Sequence, residues 1–231
     1  EYVNYLRNPI KKHLISFTKE SLLYKNNFSS KDDLKSWVLE GDAEVTIKDN
    51  WLEMFSPDEK SHHVFWCPKE LPGSFMAEWE MQNLNLNAGL CIVFFSAKGI
   101  NGLDVMHPNQ KKRFGVFNQY TKSDINNYHI SYYANNPKKP NRPFSHLRKN
   151  KGFITVQYGD KGIDTNSNSI HKIRLVKKEN HISMSIDNRE IINWKDDGLK
   201  YGEPHTGGKF AFRQMQWSHF RYRNFKVWNI N

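Results

Sequence analysis

The sequence predicts an all-β protein, an antiparallel β-sandwich, on three observations. More than a dozen short runs alternate apolar and polar residues with a period of two, separated by Gly, Asn, Asp or Pro. No interior segment carries a helical period. Aromatic residues make up 14% of the 231 residues, so rings rather than Leu and Ile are available to fill the space between two sheets.

Taken in order, KKHLISFTKESLL near the start suits a short helix or an irregular arm, and residues 1–35 read as an arm packed on the domain. From Ser36 onward DAEVTIKD, NWLEMFS, HHVFWC, SFMAEWEMQ, AGLCIVFFSA, RFGVFNQY, NYHISYY, GFITVQYG, SIHKIRLVKKE, HISMSID, REIINW, GKFAFRQM and HFRYRNFKVW each suit a strand. A two-residue turn at Asp187 and Asn188 joins HISMSID to REIINW. No Pro/Ser-rich linker divides the run, so residues 36–231 form a single domain. PKKPNRP (137–143) and GDKGIDTNSNS (159–169) read as surface loops, common places for a binding site on a rigid sandwich.

Bulk chemistry narrows the function classes. A mean hydropathy of -0.77 and the lack of an apolar run near about 20 residues exclude a membrane-spanning helix. The net charge of +10 suits an anionic partner, either nucleic acid, an acidic lipid surface or an acidic polysaccharide, or else serves solubility alone. Cys67 and Cys91 offer no zinc-finger spacing, and Cys91 inside AGLCIVFFSA suits a small buried hydrophobe; one disulfide between them stays open. His62 and His63 would point to opposite faces of a strand and His107 stands alone, so no metal or cofactor is assigned. There is no G-x-S-x-G, H-E-x-x-H or phosphate-binding Gly loop. The start at Glu1 without Met suits an exported chain, periplasmic or secreted, whose leader has been removed.

The C-terminal third, with GGKFAFRQM and a last strand containing R-N-F-x-V, resembles the concanavalin A-like lectin/glucanase jelly roll. SINNYHISYYANNP, HLRKNKGF and GGKFAFRQM together resemble one bacterial jelly-roll family, first catalogued as a domain of unknown function, over residues 60–229. The resemblance implies loss of water from the non-reducing-end uronic acid of ulvan-type oligosaccharides. Retaining glucanases of the superfamily carry E-x-D-x-x-E, but EWEMQN (78–83) lacks the final acid, which argues against paired-carboxylate hydrolysis.

Strand alternation then proposes a working face. Arg213 lies opposite Phe210 and Phe212; Arg113 and Gln119 lie opposite Phe114 and Val116; His129, Ser131 and Tyr133 lie opposite Tyr128, Ile130 and Tyr132. In a jelly roll such a face forms a sugar-binding groove. An acidic glycan there can undergo β-elimination: a base takes the proton on C5, the group on C4 departs, and arginine neutralises the carboxylate. His129 and Tyr133 are the expected proton carriers, in either order, with Arg213 and Arg148 on the carboxylate or a sulfate. His146 and Gln119 would orient, and Lys149 and Arg113 would add charge. The plainer alternative gives His129 a structural role and pairs Arg213 with Glu78 or Glu80. The rival functions are a polysaccharide lyase, a non-catalytic carbohydrate-binding module and, last, a nucleic-acid binder; the partner expected is an acidic, sulfated oligosaccharide, with neither nucleic acid nor a membrane span.

Overall fold

The computed structural model describes residues 14–139 and 142–231. Two antiparallel sheets face each other. The first runs, in spatial order, β13 (Arg189–Lys195), β12 (His181–Ile186), β11 (Ile170–Lys178), β6 (Phe75–Asn83), β15 (His219–Ile230), β4 (Trp51–Phe55) and β3 (Glu44–Lys48), with β1 (Lys19–Asn26) also paired to β15. The second runs β10 (Ile154–Lys161), β9 (Phe144–Asn150), β8 (Ile125–Asn135), β7 (Gly89–Gly99), β14 (Gly208–Met215), β5 (His63–Leu71) and β2 (Val38–Gly41). The fold is the expected all-β antiparallel sandwich. Among the described residues, helix is confined to a 3-10 turn at Lys31–Leu34 and one turn of α-helix, α1, at Asn118–Thr121. No helix among them is long and apolar enough to cross a membrane.

Rings fill the core, as the composition requires. Trp79 of β6 meets Phe210, Phe212, Phe225 and Tyr132 at centroid distances of 5.5 to 6.4 Å, which joins the sheets at their centre. Each such buried ring contributes about 2–3 kcal/mol. Cys91 lies between Tyr132 and Tyr222, its Sγ 3.2 Å from each hydroxyl. Cys67 and Cys91 are both buried and free, so they form no disulfide. Asp187 and Asn188 both take positive φ (51° and 66°), the two-residue turn expected between β12 and β13.

Two local expectations are corrected. In KKHLISFTKESLL, Lys11 to His13 lie outside the described residues, and from Lys19 the chain is strand β1 rather than helix. RFGVFNQY is not a strand either; it is an irregular loop that ends in α1. Gly115 explains the second case. Its φ is +84°, and a Cβ there would meet the His62 carbonyl oxygen at 2.0 Å, so the chain turns and presses against the β2–β5 edge instead of pairing.

Candidate functional site

The outward face of the second sheet carries a run of polar side chains. Pairing places Asn127 beside Asn150, His129 beside Arg148 and Ser131 beside His146 on β8 and β9. Thr155 and Tyr158 of β10 pair with Arg148 and His146. Arg213 on β14 pairs with Ile92 of β7, which itself pairs with Ser131. At about 4.8 Å per strand and about 3.4 Å per residue, Arg213 and His129, two strands and two residues apart, stand about 12 Å from each other at the backbone, and both side chains reach the Phe117 ring.

They do not stand in open solvent, as the alternation alone implies. His129 and Arg213 are both 0% exposed. Phe117, arriving on the loop before α1, and Phe153, in the β9–β10 turn, cover them. The Phe117 ring lies 4.8 Å from the Arg213 guanidinium and 5.8 Å from the His129 ring. Phe153 stacks on His129 at 5.9 Å and lies 4.5 Å from the Arg148 guanidinium. A cleft of about 640 Å³ opens beside this cover, lined by Lys60, His62, Phe117 and Gln216.

Arg213 is the most unusual group here. Its Nε and Nη1 are buried without partners, and its Nη2 reaches only the Met215 sulfur at 3.7 Å. Among the described residues no carboxylate pairs with it: Glu78 bonds Arg174, and Glu80 bonds Arg223. Burial pushes its pKa down to about 10. A buried unpaired cation is costly, and proteins hold one where something anionic completes it.

The histidine tautomers follow from fixed acceptors and donors. The Tyr120 carbonyl accepts from Asn127 Nδ2 at 2.8 Å, which turns Asn127 Oδ1 toward Asn150 Nδ2, also at 2.8 Å. The same Asn150 nitrogen is 2.8 Å from His129 Nδ1. His129 Nδ1 therefore accepts, and the proton of the neutral ring sits on Nε2, which is buried without a partner. Burial first, then Arg148 and Arg213, hold the His129 pKa well below the usual imidazole range. His146 behaves alike. Arg142 Nη2 lies 2.8 Å from its Nδ1, arginine has only donors, and burial and Arg142 lower its pKa to about 3.

Of the residues the sequence singles out, the structure gathers His129, Arg213, Arg148 and His146 and disperses the rest. Tyr133 is the principal correction. Cys91 pairs with Tyr133 and the next residue, Ile92, pairs with Ser131, so Tyr132 is an extra residue in β8. That bulge turns Tyr133 into the core, where it packs on Phe220 and accepts from Asn83 Nδ2 at 3.0 Å. Lys149 faces inward too, bonded to Asp196 at 2.7 Å and to the Gly202 and Glu203 carbonyls. Arg113 instead anchors the loop that carries Phe117: its Nη2 bonds Glu40 at 2.9 Å, and the same carboxylate accepts from Tyr120 and Trp66. Gln119 Oε1 accepts from the Phe114 amide at 2.8 Å within that loop. Sequence reasoning missed Arg142, Tyr158, Asn127, Asn150, Phe117 and Phe153; pairing HLRKN with the following ITVQY would have brought in Tyr158, while the two covering rings left no periodic signal. Among the described residues no group of three or more His, Cys, Asp or Glu side chains could hold a metal ion.

A lectin-like sandwich with a basic, aromatic-covered side-chain cluster on one sheet defines the class. The architecture is shared by the carbohydrate-binding module CBM66 from Bacillus subtilis (TM-score 0.54, 12% identity, 84% of this chain and 96% of that one). It is shared also by the Crh5 transglycosylase in complex with NAG (TM-score 0.59, 10% identity, 92% and 88%). At these identities the likeness shows the fold. Within the class, the chain belongs to the domain of unknown function family DUF1961, whose model matches residues 21–227. The uncharacterized protein YesU of Bacillus subtilis (strain 168) is 34% identical over 215 residues, covering 91% of this chain and 97% of YesU. A crystal structure of a protein of unknown function with a galectin-like fold from Bacillus subtilis matches with a TM-score of 0.88 at 33% identity, covering 93% and 99%.

Proposed function

We propose that this face receives the carboxylate of an acidic oligosaccharide and that the protein eliminates water from its non-reducing-end uronic acid, as on ulvan-type substrates, to give a 4,5-unsaturated sugar. One observation carries the reading: Arg213 Nε and Nη1 and His129 Nε2 are buried without partners under a single aromatic cover. These are donors, and a carboxylate with the adjoining O4 hydroxyl supplies acceptors for them. Phe117 must swing aside to admit the sugar and then keep water out. Arg213 draws charge from the carboxylate as C5 loses its proton. Of His129 and Tyr158, one takes the proton from C5 and the other gives a proton to the departing O4; the Tyr158 ring meets His146 edge-on at 5.0 Å. The C5–H electron pair forms the C4–C5 double bond, and the C4–O4 bond breaks to release water.

A second reading, a binding module without catalysis, is favoured by the fact that both imidazoles hold Nδ1 as an acceptor and so present Nε2–H. As a receptor for anions the face is already complete. The test is incubation with glucuronate- or iduronate-terminated rhamnose 3-sulfate oligosaccharides, followed by mass spectrometry and ultraviolet absorbance. Loss of one water with rising absorbance, abolished in His129→Ala, supports the dehydratase. Chain cleavage would make it a lyase, and binding with unchanged mass a module.

A further inference from the structure

The cleft of about 640 Å³ beside the aromatic cover is lined in part by Lys60, His62, Phe114, Val116, Phe117 and Gln216. Its size suits a small ligand. Two contacts tie it to Arg213. Phe117, whose ring lies 4.8 Å from the guanidinium, belongs to its wall, and Arg213 Nη2 reaches Met215, the chain neighbour of Gln216. We infer that this cleft binds the sugar joined to the anomeric carbon of the uronate, a ring with an apolar face, free hydroxyls and an anionic substituent.

The loop that forms one wall is fixed at its backbone and apolar at its tips. The Phe114 amide donates to Gln119 Oε1 at 2.8 Å and the Gly115 amide to the Tyr120 hydroxyl at 3.0 Å. Phe114 and Val116, on either side of Gly115, are nevertheless 66% and 57% exposed. Apolar tips held in water on a fixed backbone lose little freedom when the C–H face of a pyranose lies against them.

The polar lining suits hydroxyls. His62 Nε2 lies 3.1 Å from the Glu59 carbonyl oxygen, which only accepts, so Nε2 carries the proton and Nδ1 is left as an acceptor. Burial first, then Arg213, hold the His62 pKa below the usual imidazole range, so the ring is neutral at pH 7. Gln216 Oε1 accepts from Asn136 Nδ2 at 3.1 Å, which leaves its Nε2 donors for a ligand. A sugar hydroxyl donates and accepts, and so serves both residues; a bare sulfate oxygen only accepts. Lys60 supplies the charge. It is exposed and forms no ion pair among the described residues, whereas Glu59, also in the lining, is paired with Lys138.

This inference rests on the uronate reading, and the experiment separates the two. Titration calorimetry compares glucuronate with a uronate-terminated disaccharide, sulfated or not on its second sugar. The proteins are wild type, Arg213→Gln, Lys60→Ala and the double variant Phe114→Ala, Val116→Ala. Thermal unfolding first confirms that each variant is folded. The expected result is a gain of tenfold or more in wild-type affinity from glucuronate to sulfated disaccharide (about 1.4 kcal/mol). The double variant loses most of that gain and keeps its affinity for glucuronate. Lys60→Ala loses only the part that the sulfate adds, while Arg213→Gln weakens every ligand. Wild type that gains nothing from the second sugar, or a double variant that keeps the full gain, overturns the second subsite while the uronate site stands. Binding unaffected by Arg213→Gln overturns the uronate site itself.

Discussion

Replacing Arg213 with methionine should stabilise the ligand-free protein while removing its hold on acidic sugars. The guanidinium is fully buried, with two nitrogens unpartnered, and its pKa is pushed down from the ordinary arginine value to about 10. At 1.36 kcal/mol for each decade of acid dissociation, that displacement amounts to about 3 kcal/mol against the charged form. The sign follows directly. The folded protein binds this proton less tightly than the unfolded chain, so the penalty is full below about pH 10 and fades as the group loses its proton above it. Contacts with Phe117 at 4.8 Å and Tyr120 at 5.3 Å return part of this, about 1–2 kcal/mol together. Methionine fills a similar volume without charge, leaving a net gain of about 1–2 kcal/mol. For a chain of this length that is a rise in Tm of about 2–8 °C. Differential scanning calorimetry reads the stability, and calorimetric titration with a uronate oligosaccharide reads the binding. A Tm below wild type would show that the cation contributes net stability, and the argument that it is held in reserve for an anion would fall.

Three further outcomes are expected. Tyr133→Phe loses the bond from Asn83 and about 1 kcal/mol of stability, but leaves turnover unchanged; a large fall in turnover would return Tyr133 to the site. Acid should weaken the fold: His63 and His146 are held at about 3, so below about pH 6.5 the unfolded chain takes up protons that the folded one refuses, costing about 2 kcal/mol for each imidazole by about pH 5. Urea midpoints that do not fall between neutral pH and about pH 5 would contradict those environments. Glu40→Gln strips Arg113 of its counter-charge at 2.9 Å, which should cost about 3–5 kcal/mol and, by loosening the loop, speed trypsin cleavage after the already exposed Lys111 and Lys112; an unchanged Tm and digestion rate would mean that the loop is held by other contacts.

Much of the face was legible in the sequence, and its misreadings have definite causes. The period of two places Arg213 opposite Phe210 and Phe212, and His129 opposite Tyr128 and Ile130, as the structure has them. The same rule fails at Tyr133, because one extra residue shifts the phase of everything beyond it and leaves no mark in local composition. It fails at Arg113 and Gln119 because FGVF has the alternation of a strand, while Gly115 and the Glu40 network hold it as a loop. Lys149 reads as a surface cation, yet its alternation beside Arg148 already turns it inward, toward an Asp196 that lies 47 residues away in sequence.

The sequence by itself determined the class of fold, the ring-filled core and the basic character of one sheet face, because strand periodicity and charge are properties of neighbouring residues. Only the tertiary structure decided that Arg213 and His129 are covered, that Asn150 fixes the imidazole proton and that Tyr133 belongs to the core. Those outcomes depend on a bulge and on loops that pack across the sheet, contacts between residues far apart in the chain, which no local pattern encodes.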